Sequence, residues 1–268
     1  MRIGFIGLGD QGAPIAGALL SGGNELTVWA RRPDAAKDLC DQGARWADDP
    51  ASLAVQSDVV VLCVTDEEAV RDVLFGHGVL ENMRPEAVLA IHTTMAPAAS
   101  IELARQAEAV RLRYVEAPVS GSGKAVAERS LLLLTGGDEH GTRELHRLYA
   151  PFCNPVFHVG AAGAATRLKL VNNLKCAVDY AIAGDALALA VREGLPENLA
   201  RDAMLAGSAR SFALEALDRI ATQGRAEHVA AILAKDVELA LDAFGEDVPE
   251  DWRRLAWQGV TALRNAGR

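Results

Sequence analysis

The sequence predicts an α/β chain: a doubly wound, mostly parallel sheet over residues 1–162, then an all-α domain over residues 163–268 built on a long helix. Three observations predict it. Short apolar runs alternate with helix-like segments through the first half, the rhythm of a parallel sheet with helices on both faces. The stretch "DVVVLCV" at 58–64 is unbroken and rich in β-branched residues, as a strand buried on both faces requires. After Gly163 strand signals stop, and apolar residues recur at helical spacing.

In order, a strand is expected over 2–6, a helix over 11–21 and a strand over 26–29. The segment 33–41 is expected to be helical, with Pro33 at its start, where a missing N–H costs nothing. Then follow a strand at 58–64, a helix at 67–74, a strand at 87–91, a helix at 98–109 and a strand at 113–116. Short strands at 131–135 and 156–158 flank a helix at 139–149. Residues 164–193 are expected to form one helix, stopped by Gly194 and Pro196, and helices at 197–205, 211–222, 229–244 and 252–264 complete the chain. A helix that long suits a spine between domains or subunits.

Composition narrows the function. Half of the 268 residues are hydrophobic, enough for a sizeable core, and the net charge of -9 argues against a general nucleic-acid or anionic-membrane surface. Cys40, Cys63, Cys153 and Cys176 lie far apart without metal-ligand spacing, so no metal site is expected and a reducing, cytoplasmic setting fits. The opening "MRIGFIGLG" does not read as a signal peptide. No apolar run approaches the roughly 18 residues that span a bilayer.

The stretch "GFIGLGDQGAPIA" places Gly7, Gly9 and Gly12 in Gly-x-Gly-x-x-Gly spacing, after a strand and at the opening of a helix. That context reads as a dinucleotide loop: Gly7 for the tight turn, Gly9 for close approach of the pyrophosphate, Gly12 for helix–strand packing. Gly7, Leu8, Gly9, Asp10, Gln11 and Gly12 are therefore the candidate phosphate site, with Asp10 expected to cap the helix that follows. The second strand ends "VWARRPD". No carboxylate stands where a ribose diol would need one, and Arg31 and Arg32 can instead grip a 2′-phosphate, so the expected cofactor is NADP(H).

A second loop, "EAPVSGSGKAVAERS", begins where a strand ends, and open α/β sheets bind ligands beyond the carboxyl ends of their strands. Ser120, Gly121 and Ser122 would offer hydroxyl and N–H groups to a small carboxylate-bearing substrate. In "TRLKLVNNLKCAVDY", Lys169 and Asn173 are four apart and share a helix face, with Asn172 flanking them. Lys169 reads either as a snorkelling side chain or as a desolvated amine able to exchange a proton with a substrate oxygen. Its place near the start of the long helix favours the second. His92 is expected to be a satisfied strand-end histidine rather than a reacting group.

With these residues in view, the chain resembles the β-hydroxyacid dehydrogenase family through "GFIGLGDQGAPIA", "EAPVSGSG", "GAAGAATRLKLVNN" and "LAKDVELALDAF", met in that order. The resemblance implies a Rossmann domain followed by a helical domain, and a homodimer or homotetramer. It implies that Lys169 is the catalytic acid/base, that Ser120, Gly121 and Asn173 bind substrate, and that Lys235 lies at the cofactor end of the site. It also implies that Thr94 touches the nicotinamide side and that Val64 and Thr65 form a cofactor-lining turn. Gln11 stands where the family usually has methionine. The activity implied is interconversion of a small β-hydroxy acid and its semialdehyde. An imine reductase and a non-catalytic dinucleotide-binding scaffold are the alternatives, and retention of Lys169 favours alcohol–aldehyde chemistry.

Overall fold

The computed structural model describes residues 1–266, so the last two positions of the domain expected over 163–268 lie outside the described residues. Among the described residues, one sheet of nine strands carries the first part of the chain. The strands are β1 (Arg2–Ile6), β2 (Glu25–Trp29), β3 (Arg45–Trp46), β4 (Val59–Leu62), β5 (Val88–Ile91), β6 (Arg113–Glu116), β7 (Val119–Ser120), β8 (Leu131–Gly137) and β9 (Cys153–Gly160). Their order begins β3-β2-β1-β4-β5-β6, all parallel, which is the doubly wound dinucleotide-binding order. β8 runs antiparallel to β6 and β7, and β9 pairs parallel with β8.

The β-branched run dictates the layering. A strand points successive side chains to opposite faces. Val59 and Val61 thus enter one hydrophobic cluster, with Phe5, Val28, Ile15 and Leu19, while Val60 and Leu62 enter another, with Leu53, Val70, Leu89 and Leu103. All four β4 side chains are buried. Fully burying a valine or leucine contributes roughly 1.5–3 kcal/mol, so β4 and β5 are the hydrophobic centre of the sheet.

Several short elements were not expected, among them β3, β7 and the helices Pro50–Gln56, Val79–Asn82 and Gly123–Ala127. β3 has two residues, too few to carry a pattern. The helix Pro50–Gln56 is opened by Asp49, whose carboxylate accepts from Ser52 N at 2.8 Å. The segment expected as one helix over 67–74 is α-helical over Glu67–Arg71 and continues as a wider π turn over Asp72–Gly76. Asp10 is not the N-cap of the first helix: Gln11 holds that position, and the helix Gly12–Ser21 has neither a side-chain cap nor an acid in its first turn.

By backbone contacts the chain divides into two compact units, Met1–Lys169 and Leu170–Arg268. The long helix Ala164–Arg192 runs through the division. In the second unit its residues Leu170, Leu174, Ala177, Val178 and Leu187 form a core with residues of the helices Phe212–Thr222, Ala226–Phe244 and Glu250–Ala266. No helix among the described residues is long and apolar enough to cross a membrane.

Candidate active site

The sheet's register assembles the carboxyl edge. Trp29 pairs with Ile6, Ile6 with Leu62, Leu62 with Ile91 and Ile91 with Glu116, so five parallel strands end in one row. The segments leaving that row carry the expected first-unit residues: Arg31 and Arg32 after β2, Gly7–Gly12 after β1, Val64 and Thr65 after β4, Thr94 after β5, and Ser120–Ser122 after β6 and β7.

The glycine turn has the geometry its spacing predicts. Gly7 sits at φ +99°, and a Cβ on it would lie 2.2 Å from Cys63 O; one on Gly12 would lie 2.0 Å from Gly7 O. No residue but glycine fits at either position without moving main chain. A Cβ on Gly9, by contrast, would meet nothing within 4 Å. That open space, at a helix end whose N-cap residue Gln11 makes no side-chain cap and whose first turn holds no acid, fits the pyrophosphate of a dinucleotide. Leu8 turns its side chain into the core and is 7% exposed, so only its main chain can face a ligand. Asp10 is exposed, as are Arg31 and Arg32. The Gln11 amide donates to Gly121 O at 3.0 Å and ties the first glycine loop to the second.

The other loops are held by local bonds. Thr93 ties the β4 and β5 turns together: its hydroxyl accepts from Val64 N at 3.1 Å and donates to Val64 O at 3.0 Å. Thr94 is half-buried beside it. Thr65 is exposed and donates to Asp66, which caps the following helix through Ala69 N. Gly121 adopts φ +130°, and Ser122 stands at the N-cap of Gly123–Ala127 without using its hydroxyl there. His92 is buried and satisfied, with Nδ1 2.5 Å from Ala117 O and Nε2 2.6 Å from the Tyr149 hydroxyl. Burial pushes its pKa down to about 4, against a smaller upward pull from Ala117, so the ring is neutral at pH 7. Burial likewise pushes the Cys63 thiol up to about 12, which removes it as a nucleophile.

Lys169 lies in the second turn of the long helix and is 8% exposed. The first turn of that helix is fastened to the sheet by Glu116, a residue passed over in the sequence as a strand end. Its buried carboxylate accepts from Ala165 N at 2.7 Å, from the Thr166 hydroxyl at 2.8 Å and from the Ser100 hydroxyl at 2.5 Å. In the second unit Asn173 donates to Asp236 Oδ2 at 2.5 Å and accepts from Asn172 at 3.0 Å. Lys235 Nζ lies 2.8 Å from Asp236 Oδ1. Asp236 is buried, and its role too was not foreseen, although a carboxylate beside Lys235 in "AKD" was visible. Reading it required knowing that Asn173 faces the same residue from a distant helix.

A sheet of this order, with such a glycine turn on its first strand, defines a dinucleotide-binding domain. Residues 2–160 match the model for the NAD-binding domain of 6-phosphogluconate dehydrogenase. Residues 163–249 match the NAD-binding domain of NADP-dependent 3-hydroxyisobutyrate dehydrogenase. The chain belongs to the β-hydroxyacid dehydrogenase family. It is 33% identical over 195 residues to an uncharacterized oxidoreductase of Mycobacterium tuberculosis, across 72% of this chain and 66% of that relative, just under two thirds of its length. With 2-(hydroxymethyl)glutarate dehydrogenase of Eubacterium barkeri it shares 28% over 263 residues, 96% of this chain and 87% of the relative. Among solved structures, Psf3 in complex with NADP+ and 2-OPP superposes with a TM-score of 0.89 at 28% identity, covering 98% of this chain and 94% of that one.

Proposed function

We propose that this chain is an NADP(H)-dependent oxidoreductase that interconverts a small β-hydroxy acid and its semialdehyde. The observation that carries the reading is a lysine, Lys169, buried in the second turn of a helix whose first turn is bound to the end of β6. An amine held at that place can exchange a proton with a substrate oxygen. Bound NADPH supplies a hydride to the carbonyl carbon. Lys169 gives the proton that the resulting alkoxide oxygen needs, and takes it back in the oxidative direction. Ser120, Gly121 and Ser122 hold the substrate carboxylate, and Asn173 and Lys235 keep the substrate and cofactor contacts that the family resemblance implies.

The dinucleotide is assigned to the row of strand ends. Gly7, Leu8, Gly9, Asp10, Gln11 and Gly12 face its pyrophosphate with main chain, Val64, Thr65 and Thr94 line its nicotinamide half, and Arg31 and Arg32 take the 2′-phosphate. The relatives whose names specify a cofactor or substrate support NADP and branched or substituted hydroxy acids as the starting point. A homodimer is proposed from the long helix, where Leu168, Val171, Ile182 and Leu189 are each between 43% and 53% exposed; sedimentation at micromolar concentration tests it. The free thiols suit a reducing, cytoplasmic setting.

The decisive experiment follows reduced-nicotinamide absorbance with NADPH and a panel of two- to four-carbon semialdehydes, for the wild type and for Lys169→Ala. General acid catalysis typically contributes about 10²–10⁴-fold. The variant is expected to lose that much turnover while its NADPH dissociation constant stays within about twofold. Turnover near the wild-type level in Lys169→Ala defeats the proton-transfer role, and NADPH binding without oxidation across the whole panel favours the scaffold reading.

A further inference from the structure

We propose that Glu116 is a positioning residue for Lys169: its carboxylate sets the rotation and height of the helix that carries the amine. The inference rests on the reading of Lys169 as the proton-exchanging group.

Three donors converge on this one buried side chain. Ala165 N–H reaches Oε1, and the hydroxyls of Thr166 and Ser100 reach Oε2. Only a carboxylate takes three donors on two oxygens while presenting no donor of its own. The Ser100 hydroxyl also lies 2.9 Å from that of Tyr114, so the carboxylate is braced from the helix Pro97–Ala109 as well as from β6. Room for it is made on β8, where a Cβ on Gly136 would fall 2.5 Å from Oε1. The helix Ala164–Arg192 has no acid in its own first turn, so Glu116 supplies the anion that its N-terminal N–H groups and dipole favour.

The placement relative to Lys169 makes this more than a cap. Ala165 and Lys169 are four residues apart and share a helix face. The N–H that Glu116 holds therefore lies one turn below the amine's own stem. Two bonds from one rigid group, to adjacent residues of one turn, fix both the phase and the axial position of the helix at its start. With Cα atoms about 2.3 Å from the axis, a rotation of about 20° carries the root of the Lys169 side chain by about 1 Å. A misplacement of that size at a reacting group costs on the order of 10²-fold in rate.

Glu116→Gln tests the inference. The volume is kept, but one acceptor becomes an NH₂ donor facing donors. With rates normalised to the number of NADPH-binding sites, kcat is expected to fall about tenfold or more, while KM for the semialdehyde and the NADPH dissociation constant stay within about twofold. Thr166→Val removes one contact and leaves the charge; it should lower kcat per site about threefold, and Thr166→Ser should restore it. If Glu116→Gln does not fold, the threonine pair decides. Wild-type kcat per site in Glu116→Gln, or in Thr166→Val where the first is unavailable for assay, overturns the proposal. So does a loss confined to the number of folded sites. Turnover retained by Lys169→Ala instead defeats the lysine reading, whatever the Glu116 variants do.

Discussion

The glycine turn allows a test that separates folding from ligand binding. A methyl on Gly9 meets no atom within 4 Å, and Gly9 lies outside the left-handed region, so Gly9→Ala asks nothing of the folded chain. Its stability should stay within about 0.5 kcal/mol of wild type or rise by up to about 1 kcal/mol, because alanine has less unfolded-state freedom to lose. The same methyl projects into the space assigned to the pyrophosphate. Hydrogen bonds to charged groups contribute roughly 1.5–3 kcal/mol each, so displacing a phosphate from two N–H groups should weaken NADPH about 10²-fold or more. Gly12→Ala is the counterpart. Its Cβ would fall 2.0 Å from Gly7 O, so main chain must move. Overpacking of this kind costs about 1–3 kcal/mol, which lowers the melting temperature of a chain this size by several degrees, about 2–4 °C per kcal/mol. Thermal unfolding without ligand and calorimetric titration with NADPH read both variants. Wild-type NADPH affinity in Gly9→Ala would refute close approach at this turn, and equal destabilisation of the two variants would refute the geometry itself.

Two further outcomes are expected. Arg31→Ala should weaken NADPH about tenfold or more and leave NADH unchanged, since the guanidinium is assigned to the 2′-phosphate alone; equal losses in competition titrations of both cofactors would count against it. His92 has its folded pKa at about 4, below the ordinary 6.5, so the unfolded chain takes a proton that the folded one refuses. Its contribution is complete above pH 6.5 and is lost as pH falls toward 4, at up to about 1.4 kcal/mol per pH unit. Between pH 7 and pH 5 the wild type should therefore lose on the order of 2 kcal/mol more stability than His92→Gln. Urea midpoints that shift in parallel would show that the buried ring is not the source.

The parallel sheet was readable because its central strands β4 and β5 are buried on both faces and because Gly7 and Gly12 stand at positions where close main-chain contacts admit only glycine. β6 and the helix Glu139–Tyr149 fall at the expected residues, and the helix Ala164–Arg192 ends one residue early. What escaped reading was short or distant. β3 and β7 have two residues each and exist through pairing with neighbours, not through a pattern of their own. Asp10 looked like a cap, but the turn places Gln11 at that position, and the Gln11 amide spends itself on Gly121. The histidine at the end of β5 was read correctly as satisfied, though neither Tyr149 nor Ala117 could be named as its partner. Glu116 and Asp236 were in plain view as acids, yet each acquires meaning from donors 49 and 63 residues away.

The contact between Asn173 and Asp236 also bears on how this protein ages. A carboxylate offers no hydrogen at neutral pH, so the 2.5 Å approach leaves only one orientation open to the Asn173 amide, nitrogen toward the acid. Loss of ammonia from that amide would put a second carboxylate against Asp236, beside the Lys235 ammonium, and remove the donor that Asp236 Oδ2 now holds. The commonest spontaneous damage to asparagine would thus turn an attraction into a repulsion between the long helix and the helix Ala226–Phe244.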